Sequence, residues 1–216
     1  MNTQKQPDYT AMYSEGYRHY AAGENEKAIA VLKRLIEAKP LQSDPYKVCA
    51  MCLANLGRYQ EGIDILKKGT ETVDDDHEMH MLIADYMFNM ERYEDGRTYL
   101  KELVEKFPEE ETIKNLLVTH CQKSGQYEEG LKYAVMAYEK DPESYEALCG
   151  LGSIFMGMGQ YSEAAKYLVK AARIKPDHFP SMLNLGNTFH EMKEFEMSLK
   201  FYDQALQIQP NSGLAI

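Results

Sequence analysis

Small, aromatic and proline positions recur along the chain at one fixed interval. Pro40, Pro108, Pro142, Pro176 and Pro210 stand 34 residues or twice 34 apart, with Asp74 in the missing place. Twelve residues ahead of these positions come Ala28, Gly62, Gly96, Gly130, Ala164 and Ser198. Three residues further back an aromatic appears in five cases: Tyr59, Tyr93, Tyr127, Tyr161 and Phe195. A second small column holds Gly16, Ala50, Ala84, Val118, Gly152 and Gly186, and the position before it is Cys49, Ile83, Leu117 or Leu151. Gly23, Gly57, Gly125 and Gly159 stand where the chain turns between helices and suit a left-handed backbone. The proline stops the helix that precedes it. No strand pattern is present. Such a gapless period signals a repeat architecture, here six units over 9–42, 43–76, 77–110, 111–144, 145–178 and 179–212. Residues 1–8 read as a flexible tail and 213–216 as a stub.

These columns resemble the tetratricopeptide repeat, most clearly in LGSIFMGMGQYSEAAKYLVKAARIKP (151–176) and LGNTFHEMKEFEMSLKFYDQALQIQP (185–210). The resemblance implies an all-α fold, a right-handed superhelical solenoid of antiparallel helix pairs with a concave groove. Small residues such as Gly152 and Ala164 let the helices of a pair approach, and the aromatic opens the second helix. The chain departs from the pattern at Asn25 (no aromatic), Val118 (bulky) and at Glu91 and Lys193, which replace the turn glycine. No unit can bury its apolar face alone, so neighbours must stack.

Composition narrows the function. The net charge of −10 is spread evenly: residues 1–108 carry 14 basic and 19 acidic side chains, residues 109–216 carry 10 and 15. Without a basic stripe to neutralise phosphates, nucleic acid is not an expected partner. No leader-like N-terminus and no long apolar run occur, so membrane insertion is not expected. The four cysteines, Cys49, Cys52, Cys121 and Cys149, follow no disulfide pattern, which points to a reducing cytoplasm.

Candidate chemistry is sparse. Cys49 and Cys52 have redox or metal spacing, but no strand precedes them, no second pair lies nearby, and Cys49 shares a column with Ile83, Leu117 and Leu151; they read as core thiols. Asp74 to His80 gathers metal-capable groups without the H-E-x-x-H spacing. It reads as a helix start, with Asp75 or Asp76 capping free N–H groups. No nucleophile–base set or phosphate loop exists, so neither an enzyme nor a metal or other cofactor is expected.

The resemblance places the groove on one stripe of each first helix. In the first three units this stripe holds Tyr13, Tyr17 and Tyr20, then Lys47 and Met51, then Met81, Asp85 and Phe88 with Asn89 beside it. In the fourth it holds Asn115, Thr119 and Gln122, so the lining passes from aromatic to polar. The carboxylate-clamp set of the family's chaperone-tail binders is absent, since its columns hold Tyr13, Tyr17, Val48, Glu78 and Leu82. At the far end, Leu199, Leu206 and Ile208 form an apolar edge for which no capping helix is visible, and the chain reads as a fragment or as one that pairs with a copy of itself. The expected function is a protein-interaction module, an adaptor or chaperone, holding an extended, partly apolar peptide. The alternative is a self-assembling scaffold, like the repeat proteins that coat magnetosomes.

Overall fold

A computed structural model describes residues 9–38, 41–74 and 76–210. The tail assigned to 1–8, the first proline of the series (Pro40), Asp75 and the stub 213–216 lie outside the described residues. Among those described there are twelve helices and no strand: α1 (Tyr9–Ala21), α2 (Asn25–Ile36), α3 (Asp44–Asn55), α4 (Tyr59–Thr70), α5 (His77–Asn89), α6 (Tyr93–Lys106), α7 (Glu111–Lys123), α8 (Tyr127–Lys140), α9 (Tyr145–Gly157), α10 (Tyr161–Ile174), α11 (Phe179–Glu191) and α12 (Phe195–Ile208). The chain divides within α6 into two compact units, residues 1–96 and 97–216.

The repeat columns act locally as the sequence implies. Every aromatic of the column opens a helix, and α6, α8, α10 and α12 each stop two residues short of a proline. Asp141, Lys175 and Gln209, the residues before three of those prolines, have φ of −144°, −125° and −132°, the extended backbone that the proline ring enforces on its predecessor. Gly23, Gly57, Gly125 and Gly159 all turn left-handed, with φ between 71° and 74°. Glu91 and Lys193 take the same conformation at φ 57° and 61°. The geometry of the turn is therefore set by the helices on either side, and two side chains bear the strain that glycine avoids. Asp76 caps α5, its carboxylate accepting from Met79 N at 3.1 Å.

In the first unit α2 packs on α1 and α3, and α4 on α3 and α5. Its core contains Ala28, Leu32, Cys49, Ala50, Leu53, Leu66, Ile83 and Ala84, none measurably exposed. At Gly16 the pair α1–α2 is so close that a Cβ would lie 2.7 Å from Leu32. Truncating a fully buried leucine such as Leu32 costs about 2–5 kcal/mol. Arg58 ties neighbouring helices from outside, forming a fork on Glu61 at 2.6 and 2.7 Å and reaching Glu26 at 3.1 Å.

In the second unit α7 to α12 pack consecutively, and the first helices of adjacent pairs, α7 with α9 and α9 with α11, also touch. Val118, Ala134, Leu151 and Ile154 form one core cluster, and Ala164, Ala165, Leu168, Leu185 and Phe189 form another. Gly152 repeats the close approach of Gly16: a Cβ there would lie 2.5 Å from Leu168. Ion pairs here close single helix pairs, Lys140 at the end of α8 to Glu111 at the start of α7 at 2.8 Å, and Lys175 after α10 to Glu146 of α9 at 3.0 Å.

Candidate functional site

Each unit carries its own groove on the stripe of its odd-numbered helices. That of the first unit is a cavity of about 580 Å³ lined by Tyr13, Tyr17 and Tyr20 of α1, by Asp44, Lys47, Val48 and Met51 of α3, and by Glu78, Met81, Leu82 and Asp85 of α5. The spacing 13, 17, 20 stacks three tyrosines on one face of α1. Their rings form a ladder, with centroids 6.1 Å apart from Tyr13 to Tyr17 and 5.9 Å from Tyr17 to Tyr20. Tyr17 is 49% exposed, a large apolar ring facing solvent within a cavity. Burial, followed by the nearby Asp44 charge, raises the Tyr13 pKa.

Charge is distributed unevenly over this surface. Lys47 donates to Glu78 at 2.7 Å, with Asp76 at 3.5 Å and Asp44 at 3.6 Å. Burial works against its charge, but these three carboxylates prevail and its pKa is raised. At Asp76 burial is likewise outweighed, by hydrogen bonds from Ser43 and Met79 N and by Lys47, and the carboxyl pKa is lowered. Asp85 has no such support, and burial alone raises its pKa. Phe88 and Asn89 stand apart from this cavity. The Phe88 ring meets Tyr93 edge-on at 5.1 Å, and Asn89 donates to the Asp85 carbonyl at 2.9 Å.

The second unit's groove is a cavity of about 890 Å³. Asn115, Thr119 and Gln122 of α7 line it, together with Tyr145, Glu146, Cys149 and Ser153 of α9 and Pro180, Ser181 and Asn184 of α11, with His178 at its start. The Tyr145 hydroxyl lies 2.6 Å from His178 Nδ1 and 2.7 Å from Ser181 Oγ, which are 3.0 Å from each other. Lys175 Nζ sits 3.9 Å over the Tyr145 ring. Burial pushes the Tyr145 pKa up to about 12, so the phenol keeps its proton. The sequence reading missed Tyr145, His178 and Ser181. Tyr145 meets residues 33 and 36 positions away, and the only signal available was that Tyr145 and Ser181 adjoin Glu146 and Pro180, which continue the stripe 34 residues apart on α9 and α11.

The thiols read as core residues are core residues. Cys49, Cys52 and Cys121 are fully buried, and desolvation pushes Cys49 to about 12 and Cys52 to about 11, far from reactive thiolate. Among the described residues no group of three metal-capable side chains converges. Leu199 on α12 is 63% exposed, whereas Leu206 and Ile208 are half-buried against Met182 and Ala205.

Three models of the tetratricopeptide repeat match the sequence, one over residues 19–86 and 122–185, one over 79–110 and one over 180–212. The chain belongs to the tetratricopeptide-repeat family. No curated protein sequence matches it. Its fold is similar to that of a tetratricopeptide-repeat protein from Parabacteroides merdae, with 13% identity, TM-score 0.83, and coverage of 96% of this chain and 82% of that one. It is also similar to MamA from Desulfovibrio magneticus, with 15% identity, TM-score 0.65 and coverage of 81% and 99%. A third is YrrB, described as a TPR protein with an unusual peptide-binding site, with 21% identity, TM-score 0.58 and coverage of 85% and 95%. Tetratricopeptide-repeat proteins mediate protein–protein interaction. No described helix is long and apolar enough to cross a membrane.

Proposed function

We propose that this protein is an adaptor or chaperone of the cytoplasm that holds an extended, partly apolar polypeptide segment, with the first unit's groove as the main anchor. The observation that carries the reading is the tyrosine ladder, three rings on one helix face, one half-exposed, lining a cavity with Met51 and Met81. Tyrosine supplies large contact area with few torsions to freeze, and methionine adapts to varied side chains. The hydroxyls and amides of the second unit suit the backbone of the same or another segment, and the buried thiols of Cys49 and Cys52, in no disulfide, suit a reducing compartment.

The test is selection from a displayed library of random short peptides on the immobilised protein. Apolar-rich sequences should be enriched. Tyr17→Ala with Tyr20→Ala should weaken the enriched peptides about 10–100-fold, as loss of interface anchors at about 1–3 kcal/mol each implies, and leave the melting curve in place. No enrichment, or binding indifferent to the two tyrosines, would overturn the proposal.

A second reading rests on a different surface. Phe195 and Leu199, one turn apart on α12, are 55% and 63% exposed, an apolar surface that a second copy of the chain could cover in a self-assembling scaffold. Light scattering against concentration separates the two: a constant monomer mass favours the adaptor.

A further inference from the structure

In the first unit's groove the single cation is already engaged. Lys47 is shared by Glu78, Asp44 and Asp76, so it neutralises part of that cluster and has nothing left for a neighbour. Across the same cavity stands Asp85, half-buried, whose carboxylate has no hydrogen-bond or ion-pair partner among the described residues. A desolvated carboxylate without a partner is costly, and folded proteins ordinarily pair such a group. The cavity it lines is shared with Tyr13, Tyr17 and Tyr20 and with Met51 and Met81. Counting only lining residues, Asp44, Glu78 and Asp85 oppose one lysine, so the cavity is net acidic.

We propose that this groove is a receptor for a basic side chain, lysine or arginine, of the bound segment, with Asp85 as its counter-ion and the tyrosine ladder as the wall its stem and charge lie against. The proposal rests on the peptide-binding reading above and names what that peptide must carry. The chemistry fits each part of a basic side chain. Its methylene stem lies on apolar surface while its head seeks a carboxylate. Its charge is attracted to the electron-rich faces of tyrosine. An acidic residue at the same place would meet Asp44, Glu78 and Asp85 and be repelled. The carboxylate is thus left unpaired in the free protein and paired in the complex, so binding recovers the desolvation that folding spent.

The experiment uses the full chain and small probes of one side chain. Tyrosine ring signals are followed by NMR while n-butylammonium, n-butylguanidinium or uncharged n-butanol is added. Both cations should give saturable shifts of Tyr13, Tyr17 and Tyr20 with affinities on the order of millimolar, and butanol none. Asp85→Asn should weaken the cations about ten-fold, Asp85→Glu should retain them, and the melting temperature of Asp85→Asn should stay or rise by about 1 °C because an unpaired charge is removed. Cation shifts that are absent, or equal in Asp85→Asn and the parent, overturn the inference. Selected peptides with an apolar pattern but no recurrent lysine or arginine also overturn it, and leave the peptide-binding reading standing. The converse result, Asp85-dependent cation binding without any enriched peptide, defeats that reading and with it the proposal that the cation belongs to a bound segment.

Discussion

Tyr13, Tyr17 and Tyr20 on α1 are matched three repeats later by Asn115, Thr119 and Gln122 on α7, and each set lines a cavity. Lys47, Met51 and Asp85 are matched in the same way by Cys149, Ser153 and Asn187. One backbone thus presents two surfaces. Both linings carry three carboxylates and one lysine, but the first adds rings and thioethers where the second adds amides, hydroxyls and one thiol. Some polar side chains of the second groove pair within it: Thr119 donates to the Asn115 carbonyl at 3.1 Å and Tyr145 meets His178 and Ser181. The first keeps Asp85 unpaired and Tyr17 half-exposed. A surface whose groups are already paired gains little from a ligand, and one with exposed rings and an unsatisfied charge gains much. This is why the binding proposal leans on the first unit.

The difference can be broken most severely at the glycines that hold each stripe in place. Gly16→Val should drive its side chain into Leu32 and separate α1 from α2, costing about 2–4 kcal/mol and removing the tyrosine ladder. Hydrogen exchange should show protection lost first in α1 and α2, and peptide binding should fail with it. Gly152→Val is the counterpart against Leu168, and its first loss should appear in α9 and α10. Full protection of α1 in Gly16→Val would mean that the close approach is not needed.

A smaller effect is expected at Tyr145→Phe, which removes the hydroxyl that joins α9 to His178 and Ser181. Loss of these bonds should cost about 1 kcal/mol and lower the melting temperature by about 2–4 °C. Peptides selected on the tyrosine ladder should bind as before. An equal loss of their affinity would make the second groove part of the same receptor.

The smallest effect has the opposite sign. Glu91→Gly in the first unit and Lys193→Gly in the second should each stabilise by up to about 1 kcal/mol, because both residues hold a left-handed turn that glycine adopts without strain. Glycine also gives the unfolded chain more freedom, which offsets part of the gain. Denaturant midpoints that fall in both variants would show that the side chains contribute more than the turn costs.

The helical-pair architecture was legible because it rests on residues acting within one turn or one pair. Gly125 turns left-handed, Pro142 ends α8, and Tyr161 opens α10 with nothing needed from elsewhere in the chain. The stripe positions were legible for the same reason, since a spacing of three and four residues places side chains on one face whatever the neighbours are. The occupants' behaviour was not. Phe88 lies on the stripe but meets Tyr93, because the next helix opens within reach of its ring. Lys47 was placed on the stripe, but nothing in the period showed that Asp44 of its own helix and Asp76 and Glu78 at the start of α5 hold it.

By itself, then, the sequence determined the period, the helices, the turns and the face each residue occupies, all consequences of local sterics and of apolar burial repeated at short range. Tertiary structure alone decided which polar groups meet. Tyr145 reached His178 and Ser181 across repeats, while Asp85 shares a cavity with three tyrosines and has no cation partner among the described residues. Pairing of that kind depends on distances of a few ångströms between helices remote in sequence, and a periodic pattern fixes the face of a side chain but not those distances.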